Sequence, residues 1–181
     1  MRWYWIDQFT EFVSGSHAVA RKSVSLSEEV VDGYAPGRTF LPASLIIEGL
    51  AQTGGLLVGQ KSDFLDRVVL AKVQSNKFYF EAYPGETLTY RVEILNMDQE
   101  SAFISGTSHR GDELQAEVNL MFAKLRDERF ENVELFEPAA FCRMIRMLRL
   151  FEVAVNQDGS PINVPQHMVD AETALLLNAK Y

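Results

Sequence analysis

The sequence predicts an α+β fold, a curved antiparallel sheet wrapped around one long central helix, with a helical extension at the C-terminal side. Three observations carry this reading. Residues 42–59 form a run that is apolar on almost every side at helical spacing, and a helix of that kind needs enclosure. Residues 67–80, 86–97, 101–109 and 113–125 read as strands, separated by Tyr83-Pro84-Gly85, Asp98-Gln99-Glu100 and Arg110-Gly111-Asp112. Connections that short pair neighbouring strands antiparallel. After Arg126 the pattern changes from alternation to amphipathic helical spacing.

Taken in order, Trp3 to Ile6 are aromatic and β-branched enough for a short strand, followed by a turn region over 7–11. Residues 16–26 alternate small or apolar with polar side chains, as a half-buried strand does. Gly33, Pro36 and Gly37 mark 30–39 as a loop. Pro42 then stands where a first-turn proline is tolerated, and the helix follows. Beyond the strands, Phe141, Ile145, Leu148 and Phe151 recur near helical spacing, with Arg143, Arg146 and Arg149 between them, giving an amphipathic helix over 137–151. Asp158-Gly159-Ser160-Pro161 ends it, and 169–180 forms a second helix. The expected division is 1–126 for the sheet-and-helix domain and 127–181 for the extension packing on it.

At 181 residues, 47% apolar and 23% charged, the composition is that of one globular domain and not of a disordered chain. A formal charge of −8 without clustered Lys and Arg disfavours nucleic acid as a partner. The apolar patch at Trp3 to Ile6 is followed by Asp7 and Glu11, so no signal peptide is read, and Glu48 and Gln52 interrupt the longest apolar stretch, which argues against a membrane span. The single cysteine, Cys142, has no intramolecular partner, and no Cys/His pair has metal-ligand spacing. These features together point to the cytoplasm, with no metal.

Ser44, Glu48 and Gln52 fall at i, i+4 and i+8, on one stripe of an otherwise apolar helix. Burial of a carboxylate there would favour its protonated form and suit it to donate a proton near neutral pH. A rim position, solvated or hydrogen-bonded, fits the helical pattern equally well.

The run from Tyr34 to Gln52 resembles the signature H-F-P-G-x-P-x-x-P-G-x-L-x-x-E-x-x-A-Q of the 3-hydroxyacyl-acyl carrier protein dehydratases, the FabA/FabZ type. Pro36, Gly37, Pro42, Leu45, Glu48, Ala51 and Gln52 match it without a gap. The similarity extends more loosely from Trp3 to about Leu125. The resemblance implies a hot-dog fold and at least a homodimer, or a dimer-based hexamer, in which the loop of one subunit completes the site on the helix of its neighbour. It also implies a 3-hydroxyacyl thioester substrate carried on the phosphopantetheine of acyl carrier protein or coenzyme A, with no further cofactor. In that family a loop histidine takes the alpha proton while the helix acid protonates the departing hydroxyl. Here the acid is Glu48, with Gln52 supporting it, and the histidine place holds Tyr34. Ala35, Thr39 and Ala43 also depart from the signature. Tyrosine, with an ordinary pKa of about 10, is a poor base at neutral pH and more naturally a donor.

Three readings follow: a dehydratase with a non-standard site, a thioester hydrolase using Glu48, or a non-catalytic acyl-thioester binding or scaffold subunit. His17, His109 and His167 could each replace the missing histidine, although none has a motif behind it. Gly37 permits close approach of the loop, and with Pro42 and Ser44 it brackets the helix start, whose free N–H groups could polarise a thioester carbonyl. Arg38 could meet a phosphate or a carrier acid, or be a solvated loop residue. An acidic carrier would need a local basic surface, for which Arg21, Lys22 and Arg38 are the candidates.

Overall fold

The structure is a computed structural model and describes residues 4–28, 37–125 and 137–178. Seven strands form one sheet in the order β3-β6-β5-β4-β2-β1-β7: β1 (Gln8–Val13), β2 (His17–Ser23), β3 (Arg67–Phe78), β4 (Thr87–Met97), β5 (Ser101–Arg110), β6 (Glu113–Leu125) and β7 (Ala154–Val155). The central helix α1 (Ala43–Gln60) packs against β2 to β6, which curl around it in the hot-dog arrangement. Every pairing is antiparallel except that of β7, which runs parallel to β1.

Packing, not propensity, holds α1. Gly49, Gly54, Gly55 and Gly59 lie within it, and a helical glycine costs ~1 kcal/mol relative to alanine. Leu45, Ile46, Leu50, Leu56, Leu57 and Val58 are buried from the same helix, each contributing ~1.5–3 kcal/mol. From the sheet, Leu88, Tyr90 and Val92 of β4, Ala102 and Ile104 of β5 and Leu120 and Phe122 of β6 close on it at period two. The enclosure is incomplete, however. Ala43 and Ser44 are exposed, and Ile47, Glu48, Gln52 and Gly55 only half-buried, so one stripe of α1 stays open in the single chain.

The strand expected at Trp3 to Ile6 is not formed. Tyr4 to Asp7 are irregular, Met1 to Trp3 lie outside the described residues, and the first strand instead occupies the expected turn. A bulge between Phe9 and Glu11 explains the misreading. Phe9 and Phe12, three residues apart, both reach the core and stack edge-on, which removes the alternation that identifies a strand. Trp5 and Ile6 are buried without strand geometry. Pro42 flanks α1 as its N-cap residue instead of occupying the first turn.

The expected 137–151 helix is broken in two. α2 (Pro138–Met147) begins with Glu137 accepting from the N–H groups of Ala139 and Ala140, and Arg149 then takes a left-handed φ of +59° before α3 (Leu150–Val153). The break lets Leu148 and Leu150 both enter the core and delivers β7 to the sheet edge, where Ser14 N–H donates to Val155 O. α4 (Gln166–Asn178) starts three residues before the expected 169 and packs on α2, with Arg146 paired to Glu172. Phe64, just beyond α1, meets Phe141 and Phe151 edge-on, so the C-terminal elements cover the far end of the central helix. No described helix is long and apolar enough to cross a membrane.

Candidate functional site

The centre of the site is a chain of three groups. The buried Trp5 backbone N–H donates to Gln52 Oε1 at 2.9 Å, and Gln52 Nε2 donates to Glu48 Oε1 at 3.0 Å. Glu48 and Gln52 sit one turn apart on the open stripe of α1, with exposed Ser44 one turn before them. Glu48 is therefore half-buried and hydrogen-bonded, closer to the rim position than to full burial, and among the described residues its Oε2 has no hydrogen-bond partner. Such a carboxylate has one oxygen oriented from behind and the other presented outward to accept or deliver a proton.

Gly49, the next residue, fixes the helix at this point. A Cβ on it would lie 2.4 Å from Tyr90 Cε2 and 2.7 Å from the Trp5 carbonyl oxygen. Tyr90 has no exposed surface, and burial, with the nearby Asp7 and Glu28 carboxylates, pushes its pKa well above the ordinary tyrosine value.

The N-terminal end of α1 carries the other expected residues. Pro42 is buried and provides no side-chain cap for the first-turn N–H groups of the helix. Gly37 is exposed, with a φ of +78° that favours glycine, and no atom of the described residues approaches the place of a Cβ. Arg38 is engaged by other residues: its Nη2 donates to Glu81 Oε1 and Oε2 at 2.6 and 2.7 Å, and its guanidinium stacks over Phe40. Tyr83 donates to the same Glu81, an interaction that raises its pKa. With Leu41 N–H donating to Ala82 O, these contacts fasten the end of the loop to the segment after β3. Tyr34 and Pro36 lie outside the described residues.

A groove of about 300 Å³ opens beside this end of α1, lined mainly by Phe40, Ala43, Ile46, Phe78, Phe80 and Gln115. Glu48 does not line it. Ala43 and Ile46 face this groove while Glu48 and Gln52 lie on a different stripe of the helix. The proton-transferring group is sought at Glu48, where the acid of the motif stands, and not in this groove.

None of the three histidines meets Glu48 within the described residues. His17 lies in the β1–β2 hairpin between Ser16 and Glu11, bonded at 2.9 Å to each. The neighbouring Gly15 approaches the Lys61 side chain, thirteen residues along the helix from Glu48 and so ~20 Å away. His109 follows the buried Ser108 on β5 and takes the sheet face away from α1, and His167 is exposed on α4. Lys22 corrects the expected basic surface: it is 3% exposed and ion-paired with Glu28, so only Arg21 and the already engaged Arg38 remain. Sequence reasoning also missed Trp5, whose contribution is a backbone group 47 residues from Gln52 and leaves no trace in side-chain pattern. Among the described residues no three His, Cys, Asp or Glu side chains cluster in a metal-holding arrangement.

Comparison with known proteins gives the family and the fold. The family profile described as a FabA-like domain matches residues 4–113. The 3-hydroxyacyl-(acyl-carrier-protein) dehydratase FabZ of Symbiobacterium thermophilum is 36% identical over 119 residues, 65% of this chain and 84% of that protein. Among solved structures, the dehydratase heterocomplex ApeI:P from Xenorhabdus doucetiae superposes with a TM-score of 0.58 at 16% identity, covering 70% of this chain and 86% of its own. A hypothetical thioesterase protein with coenzyme A from Streptococcus pneumoniae gives 0.53 at 11% identity, over 65% and 84%. At those identities the two structures speak for the fold alone.

Proposed function

This chain belongs to the FabA-like family, and from that premise we propose that it is an acyl-thioester dehydratase in which Glu48 is the general acid. The observation that carries the reading is the Glu48 carboxylate on the open stripe of α1, held through Oε1 by Gln52 and, among the described residues, without a partner at Oε2. In dehydration a base removes the alpha proton of a 3-hydroxyacyl thioester, the Cα–Cβ double bond forms, and the hydroxyl leaves as water with the proton that Glu48 supplies. The reverse reaction returns that proton to Glu48. The uncapped start of α1 would polarise the thioester carbonyl as the alpha carbon gives up its proton. Tyr34 occupies the base position, and the carrier is acyl carrier protein or coenzyme A.

A second copy of the chain completes the site in this proposal, as a homodimer or a dimer-based hexamer. Two features support it: the open stripe of α1, and the twelve-residue β3 at the sheet edge, where Leu70 to Lys72 and Gln74 to Lys77 are exposed. A cytoplasmic setting fits the single, free Cys142.

One observation favours a second reading. Tyr34 is a weak base, which suits a subunit that binds an acyl thioester without turning it over. The experiment is hydration of a medium-chain enoyl thioester, followed by loss of the conjugated absorbance, in the natural protein, Glu48→Gln and Tyr34→His. Turnover that disappears in Glu48→Gln supports the dehydratase. An inactive natural protein that gains activity in Tyr34→His supports the binding subunit, and release of free thiol supports thioester hydrolysis by Glu48.

A further inference from the structure

Lys22 is among the most enclosed polar side chains of the described residues, at 3% exposure. A buried ammonium is strongly unfavourable unless paired, so its partners show what the fold gains from it. Its Nζ contacts Glu28 Oε1 directly, lies 3.7 Å from Asp7 Oδ1 and stands 5.5 Å from the centre of the Trp5 ring. These partners come from two segments, one of which is tied to the Glu48 site. Trp5 to Asp7 is the stretch whose backbone N–H holds Gln52, and Gln52 holds Glu48. Glu28 is six residues before Tyr34, at the start of the motif loop.

Resting on the reading of Glu48 given above, we propose that Lys22 is a positioning residue for it. The ammonium gathers the Trp5–Asp7 segment and the root of the loop at one point on β2. Through Trp5 and Gln52, that point sets the direction of the Glu48 carboxylate. The N-terminal segment has two further ties to β2, one through its backbone, where Asp7 N–H donates to Arg21 O at 2.7 Å, and one through a side chain, where Ser23 N–H donates to Asp7 Oδ2 at 2.6 Å. The chain path therefore survives without the ammonium, whereas the fine placement of Trp5 against α1 does not. Misplacement of a reacting group by ~1 Å costs on the order of a hundredfold in rate, so small shifts are sufficient.

The test is the pair exchange Lys22→Met with Glu28→Gln, which leaves neither charge stranded, with Asp7→Asn as a milder variant that keeps an oxygen for Ser23 N–H. Two quantities are read: the NMR signals of the Trp5 amide and the Gln52 side-chain NH2, and kcat and KM for enoyl-thioester hydration. In the folded double variant both sets of signals shift and exchange faster, and kcat falls by roughly tenfold to a hundredfold while KM changes less than about twofold. Asp7→Asn moves the same signals by less. Unchanged Gln52 signals in either folded variant overturn the proposal, whatever the activity. If the natural protein hydrates no enoyl thioester, the dehydratase reading fails, but movement of the Gln52 signals still assigns the positioning role to Lys22.

Discussion

Gly49→Ala tests the tightest packing around a glycine among the described residues. Helix propensity alone favours alanine over glycine by ~1 kcal/mol, so in an open helix the substitution would stabilise. At this position the added methyl would fall 2.4 Å from Tyr90 Cε2 and 2.7 Å from the Trp5 carbonyl oxygen, well inside contact distance. Neither neighbour can yield cheaply: Tyr90 is fully enclosed, and the Trp5 oxygen is backbone in the segment that holds Gln52. Overpacking of this kind costs typically ~1–3 kcal/mol, and at about 2–4 °C per kcal/mol for a chain of this size the melting temperature falls by roughly 2–12 °C. Gly55→Ala is the matched control, because its Cβ would meet only Phe122 Cε1 at an ordinary 3.4 Å, and it should be neutral or stabilising by up to ~1 kcal/mol. Thermal unfolding followed by circular dichroism compares the two. Gly49→Ala as stable as the natural protein would refute the packing of Trp5 and Tyr90 on α1.

Burial raises the Tyr90 pKa, so the folded state favours the protonated phenol: stability is intact below the ordinary value of about 10 and is lost as pH climbs above it, by ~1.4 kcal/mol per pH unit. Tyr90→Phe should therefore move the alkaline unfolding midpoint to higher pH, and an unchanged midpoint would contradict the assignment. Cys142 is enclosed, and burial, with the neighbouring Glu172, raises its thiol pKa; it should resist alkylation at pH 8 until the protein unfolds, as thiol titration with and without denaturant would show. Arg38→Ala removes a largely exposed ion pair with Glu81, so chemical denaturation should register a change of less than about 1 kcal/mol; a larger loss would mean that the loop end depends on this pair more than its exposure implies.

The parts of the fold visible in the sequence are those in which one physical signal acts alone. β5 alternates cleanly, β4 to β6 are joined by short turns as antiparallel neighbours, and the observed bounds of β3 to β6 fall within a few residues of the expected ones, although β3, separated from β4 by residues 79–86, pairs with β6 and not with β4. The hairpin at Arg110-Gly111-Asp112 needs a positive φ, and Gly111 supplies it at +58°. Where two demands compete, pattern misleads. At β1 the bulge places Phe9 and Phe12 on the same side, and at Arg149 a left-handed residue splits a helix whose apolar spacing runs on through Phe151. The two-residue β7 is too short to carry any periodicity and is defined only by its parallel partner in β1.

The site divides along the same line. Ser44, Glu48 and Gln52 can be placed on one stripe by counting turns, but the partner that orients them cannot. Trp5 N–H belongs to a buried residue and requires an acceptor. Only the carbonyl oxygen of the Gln52 carboxamide can accept that proton, so the opposite end of the group, its NH2, must point elsewhere, and it points at Glu48. The direction of the carboxamide follows from satisfying a main-chain group, and the Glu48 carboxylate inherits its orientation from that requirement. Lys22, which a list of basic residues places on a carrier-binding surface, belongs to the same structural logic: its charge faces inward, toward the segment that sets this chain of contacts.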